Sequence, residues 1–169
     1  MTKQALALTD VAVVMEETAS QPDTAATFRA VEALARRTVG FRLFTVMRNH
    51  ETTAEVERLY SSDVAAYPVG GRKRKEGTRW GEKVLDRGEV FIAANRDELR
   101  EAFPDYELIF SLGIGSIMNV PISYGGRTLA TMNISGEAGQ YGDEDVPTAK
   151  ALGALLLPVL LASETAPAG

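Results

Sequence analysis

Cysteine is absent from the 169 residues, which removes disulfides, thiolate metal ligands and a cysteine nucleophile. Histidine occurs once, as His50. A metal site of the usual His/Cys spacing therefore lacks ligands, and no HExxH pattern is present. A Ser-His-Asp triad would have to use that one imidazole, which falls in a polar loop, and no serine is placed beside it. Basic excess is also missing: 18 Lys and Arg stand against 23 Asp and Glu, a net charge of −5, which argues against a nucleic-acid partner. No apolar run approaches the roughly 20 residues that cross a bilayer, the longest being Ala151 to Ala162. Asp10, Glu16 and Glu17 interrupt the N-terminal stretch, so it does not read as a signal peptide. Neither Gly125-Gly126 nor Gly113-Ile114-Gly115 leads into a phosphate-binding Gly-Lys-Ser/Thr. These absences point to a cytoplasmic protein with no membrane partner and no cofactor indicated.

What is present is ordinary for a globular chain, 45% hydrophobic and 24% charged, and long enough for one domain with a sizeable core. Residues 9 to 19 suit a short helix with Val11, Val14, Met15 and Thr18 on one side. Ser20-Gln21-Pro22-Asp23 reads as a Ser N-cap with an acidic residue three later, opening a helix that buries Phe28, Val31, Leu34 and Ala35 and stops at Gly40. The period then changes to two: Phe41 to Arg48 and Glu55 to Ser61 read as neighbouring strands. A long crossover from Asp63 to Gly77 follows. Thr78 caps a short helix ending near Gly88, Glu89 to Ala93 is a short strand, and Asp97 to Phe103 and Pro104 to Leu112 suit helices. Asp143 opens a last helix that Pro158 interrupts. The order predicts an α+β fold. The expected organisation is an N-terminal extension over 1–22, a domain over 23–163 and a frayed tail over 164–169.

The clearest local signal is the hairpin Ile117 to Tyr124, Gly125-Gly126, Arg127 to Ser135. A two-residue turn pairs Tyr124 with Arg127 and, by counting, Ile122 with Leu129 and Asn119 with Met132. Alternation then groups Met118, Val120, Ile122, Leu129 and Thr131 on one face, assigned to the helices. Asn119 falls on the other face with Ile117, Pro121, Ser123, Ala130 and Met132. Its amide both donates and accepts, so Asn119 is the preferred sheet-borne ligand residue, although satisfying a loop backbone group would explain it equally well. Asn133 falls on the helix side in this register, and a bulge would reverse that.

Three further groups are candidates. In Tyr67-Pro68-Val69-Gly70-Gly71-Arg72-Lys73 the glycines can present backbone N–H groups to an anion, Arg72 can clamp a carboxylate and Lys73 adds a point charge. A solvated basic loop is the plainer reading of the same residues. Tyr60 and Trp80 flank that crossover and can stack a planar ligand or simply pack in the core. Ser111 and Ser116 precede the hairpin, with Gly113 and Gly115 between them, as hydroxyl donors or as a plain turn.

The stretches Trp80 to Ile92, Ser116 to Ile122, Gly125 to Asn133 and Tyr141-Gly142-Asp143-Glu144-Asp145, in that order and spacing, resemble the GAF domain family from about Asp23 to Leu161. The resemblance implies an antiparallel sheet with N- and C-terminal helices on one face. A small-molecule pocket under loops and short helices would lie on the other, with homodimerisation through the terminal helices. Members that bind cyclic nucleotides carry an Asn-Lys pair. Here Asn133 is followed by Ile134, and only the Tyr141, Asp143, Glu144 portion survives. Bilin attachment and thiol-based sulfoxide reduction, also found in the family, need cysteine. No output domain follows the last helix in this sequence. Three readings result. The first is a binding or sensor domain for a small planar metabolite, anionic if the Arg72 clamp operates. The second is a cofactor-independent enzyme using the same pocket. The third is a degenerate domain kept for dimerisation or partner binding.

Overall fold

The computed structural model describes residues 3–20, 23–75 and 77–165. Helices α1 (Leu8–Ser20) and α2 (Thr24–Thr38) open the chain. The N-cap of α2 is Asp23 rather than the expected Ser20: its carboxylate accepts the Ala25 N–H at 2.9 Å. Ser20 is instead the last residue of α1, its hydroxyl donating to the Glu17 carbonyl. The intervening Gln21 and Pro22 lie outside the described residues. Gly40 ends α2 as expected, at φ 68° with its N–H on the Ala35 carbonyl. Helix α1 packs on the rest of the domain through Val14, which is buried in the main core.

Among the described residues six strands form one antiparallel sheet: β1 (Leu43–His50), β2 (Glu55–Ser61), β3 (Arg72–Arg74), β4 (Phe91–Ala93), β5 (Ser116–Tyr124) and β6 (Arg127–Gly136). Their order is β3-β2-β1-β6-β5-β4. On one face lie α1, α2, α6 (Val146–Ala154) and α7 (Leu157–Thr165), enclosing Phe28, Val31, Phe44, Met118, Val120, Met132, Leu152 and Leu160. The second face carries α3 (Arg79–Gly81), which continues into a wide turn over Glu82–Asp86, then α4 (Arg96–Ala102) and α5 (Tyr106–Ser111). They cover a separate cluster of Trp80, Val84, Leu99, Phe103 and Ile109. Thr78 caps α3 as expected, accepting the Gly81 N–H at 3.2 Å.

Pro158 acts on the carbonyl four residues earlier, and α6 ends at Ala154, where that carbonyl lies. The α6 and α7 segments bend by 43°. Among the described residues no single helix is long and apolar enough to cross a membrane. The bent pair is apolar enough in sum, but Leu152, Leu156 and Leu160 are buried.

Two bulges decide which side chains meet. In the hairpin Tyr124 pairs with Arg127 across Gly125 and Gly126, whose φ values of 60° and 80° suit a primed turn. Thr128 then faces Ser123, but Ile122 faces Ala130, leaving Leu129 as an extra residue. The face assignment for β5 stands, and that for β6 is reversed: Ala130, Met132 and Ile134 join the helical core. Asn119 consequently pairs with Asn133, not with Met132. In β2, Tyr60 faces Val46 and Arg58 faces Met47, so Leu59 is extra. Arg58 therefore shares a face with Val56 while Tyr60 crosses to the other.

Candidate functional site

Between the second sheet face and its roof is a cleft with a cavity of about 50 Å³. Its floor is polar. Thr45, Asn133 and Asn119 are direct cross-strand neighbours on β1, β6 and β5. The Asn119 amide nitrogen donates to Asn133 Oδ1 at 2.7 Å, and the Asn133 amide nitrogen donates to Thr45 Oγ1 at 3.2 Å. Asn133 thus uses both ends within the sheet. Asn119 Oδ1 is buried without a partner among the described residues.

The wall on the β2–β3 side is cationic. Lys73 sits opposite Val56 in the β2–β3 ladder, which turns it inward. Its ammonium lies 5.3 Å from the centre of the Trp80 ring, and no carboxylate comes within ion-pair distance of it among the described residues. Burial pushes its pKa below the ordinary lysine value, while the Asp105 carboxylate works the other way. The Arg58 guanidinium lies 4.8 Å from the Tyr67 ring centre and donates through Nη1 to the Pro68 carbonyl at 3.1 Å. Arg58 Nε is buried and has no partner among the described residues.

Aromatic and acidic groups make the roof. Trp80 and Phe103 stack with centroids 6.2 Å apart. Tyr67 donates its hydroxyl to Asp105 Oδ2 at 3.3 Å, and burial followed by the Asp105 charge raises its pKa well above the usual phenol range. Asp105 stands at the N-cap of α5 yet makes no capping bond, and its Oδ1 is buried without a partner among the described residues. The site therefore holds a free acceptor on Asn119, a free acceptor on Asp105 and a free donor on Arg58, set around an aromatic wall.

Four of the eight residues singled out from sequence line this cleft: Tyr67, Lys73, Trp80 and Asn119. The other four lie elsewhere. Tyr60 packs between Phe28 and Phe44, and its hydroxyl donates to Glu32 at 2.6 Å; burial and that carboxylate push it up to about 12. Arg72, one residue from Lys73 and so on the opposite face of β3, pairs with Glu57 at 2.9 Å and Glu55 at 3.7 Å. Ser111 is exposed and bonds the Leu108 carbonyl, and Ser116 is buried on the Glu137 carbonyl. Of the crossover glycines, Gly70 spends its N–H on the Arg58 carbonyl, and the Gly71 carbonyl accepts the Arg58 N–H. Arg58, Asp105, Asn133 and Thr45 were not singled out as site residues. Arg58 alternates with Val56, which does mark it as inward-facing. Asp105 follows a proline at a helix start, where capping is the ordinary expectation.

Asp145 pairs with Lys3 at 2.7 Å, and the Tyr141 hydroxyl donates to the Gly40 carbonyl.

A sheet with terminal helices on one face and a roofed polar cleft on the other defines a class of α+β domain. The GAF domain profile matches residues 22–159, and the chain belongs to the GAF domain family. Its members are small-molecule-binding and regulatory domains. The fold is similar to that of the GAF domain from Acinetobacter phosphoenolpyruvate-protein phosphotransferase, with 15% identity, TM-score 0.75 and 95% of this chain and 96% of that chain covered. Free methionine-R-sulfoxide reductase from Neisseria meningitidis, solved with its substrate, gives 14% identity, TM-score 0.72 and coverage of 97% and 96%. The chromophore-binding domain of a bacteriophytochrome from R. palustris gives 12%, 0.67, and coverage of 96% and 65%. No curated protein matches the chain by sequence.

Proposed function

We propose that this GAF domain is a sensor or binding module whose cleft takes a small metabolite with an anionic group and a flat or apolar body. The observation that carries this reading is the set of buried, unpartnered polar atoms on Arg58, Asp105 and Asn119 around one cavity. Leaving such a group unbonded costs about 1–3 kcal/mol, and a ligand that pairs with them removes that cost. Lys73 and Arg58 are the anion-recognising side chains, and Trp80 is the surface on which a planar group rests. The expected Arg72 clamp is replaced by Lys73, because the parity of β3 turns Lys73 inward and leaves Arg72 on Glu57.

Native mass spectrometry of freshly purified protein beside a denatured sample tests the reading. A small mass released on denaturation, and reduced in Lys73→Met by about tenfold in occupancy-derived affinity, is expected for a charge-assisted contact. An equal release from Lys73→Met, or binding that survives when the cavity is filled by Asn119→Trp, would contradict it. The same reading has the domain working in the cytoplasm as a homodimer through its terminal helices. Support for the dimer is the exposed apolar row Leu8, Ala12 and Met15 on α1.

A further inference from the structure

We infer that the ligand is a small zwitterion, its anionic group held by Lys73 and Arg58 and its cationic group by Asp105 and Asn119. The inference rests on the binding function proposed above and adds the second charge. Cations and a carboxylate line one partly enclosed space, and among the described residues no ion pair joins them. The geometry keeps them apart through Tyr67, whose ring carries the Arg58 guanidinium at 4.8 Å while its hydroxyl donates to Asp105 at 3.3 Å.

Such an arrangement is unfavourable in an empty domain. Arg58, Lys73 and Asp105 are half-buried; charges of opposite sign in such a place gain from direct contact, and separated ones keep part of their desolvation cost without it. The free atoms are complementary in kind as well. Arg58 Nε offers a donor at the cationic end, and Asp105 Oδ1 and Asn119 Oδ1 offer two acceptors. An ammonium group has three donors for those acceptors, and a carboxylate accepts from the guanidinium and from Lys73. A plain carboxylate would leave Asp105 Oδ1 unbonded and facing a second anion. A plain amine would do the same to Arg58 and Lys73 with the sign reversed. Free α-amino acids are the commonest molecules that hold both charges a few ångströms apart.

Thermal unfolding of the whole protein with three probe mixtures separates the possibilities. The mixtures are the twenty standard amino acids, their des-amino carboxylates and their decarboxylated amines. A rise in Tm with the amino acids, absent with the other two, is expected. Asp105→Asn should lower amino-acid affinity at least tenfold and shift the preference toward the des-amino carboxylates, a change in selectivity that a purely structural role would not produce. Carboxylates alone stabilising the wild type as strongly as the amino acids would overturn the zwitterion and leave an anion site. No Tm change with any mixture, in a protein that releases a small mass on denaturation, would also overturn it while the binding function stands. No change and no released mass would count against both.

Discussion

At the scale of single residues the site depends on how amides and charges divide their partners. Asn133 uses its oxygen for Asn119 and its nitrogen for Thr45, which fixes its orientation and leaves Asn119 Oδ1 free for the cavity. Asn119→Leu should strand Asn133 Oδ1 in a buried position and cost about 1–3 kcal/mol. Replacing both by leucine removes donor and acceptor together, so Asn119→Leu with Asn133→Leu should cost less than the sum of the single changes. A double-mutant cycle by urea denaturation measures this, and strict additivity would contradict the ladder. Lys73 and Arg72 make the complementary point. They are adjacent cations of the same basic run, and strand parity alone sends one to the cleft and the other to Glu57. Because Arg72-Lys73-Arg74 reads as loop in the sequence, that parity was not available there. The outward pair, Arg72 and Arg74, also keeps charge on an edge strand, where exposed backbone would otherwise invite pairing with another chain.

At the scale of elements most of the fold is legible, because its signals are local. Glu55–Ser61 forms as expected, the helix after Thr78 is capped by Thr78, and the Gly-Gly turn sets Tyr124 opposite Arg127. The site is less legible because it depends on two bulges, and a bulge leaves no mark in a hydrophobic pattern that reads the same on either register. Leu129 looks like any apolar strand residue, yet as the extra residue it moves Asn133 from the helical core to the cleft. Leu59 does the reverse for Tyr60. Deleting Leu129 should therefore restore plain alternation, drive Asn133 toward Phe44 and Met118, and destabilise the domain by several kcal/mol, on the order of the cost of burying an unbonded amide in an apolar core. A deletion variant with an unchanged urea midpoint would show that the bulge does not set the register.

At the scale of the whole molecule the sheet is a partition. Its helical side supplies an apolar core, and its other side supplies a smaller core opened by one polar cleft. The proposed self-association would use the first side. If the terminal helices pair two copies, sedimentation in the micromolar range should show a dimer that Met15→Glu dissociates, whereas a wild-type monomer would remove the interface from α1. The proposed ligand binding uses the second side, and the chain carries its own reporter there, since its single tryptophan is Trp80, buried against Phe103 and beside Lys73. The most direct test is the emission of Trp80 as the small-molecule fraction extracted from the denatured protein is added back to dialysed, folded protein. The account predicts a saturable change in emission in the wild type and a weakened one in Lys73→Met. Emission that stays unchanged at every concentration, or changes identically in both proteins, would contradict it.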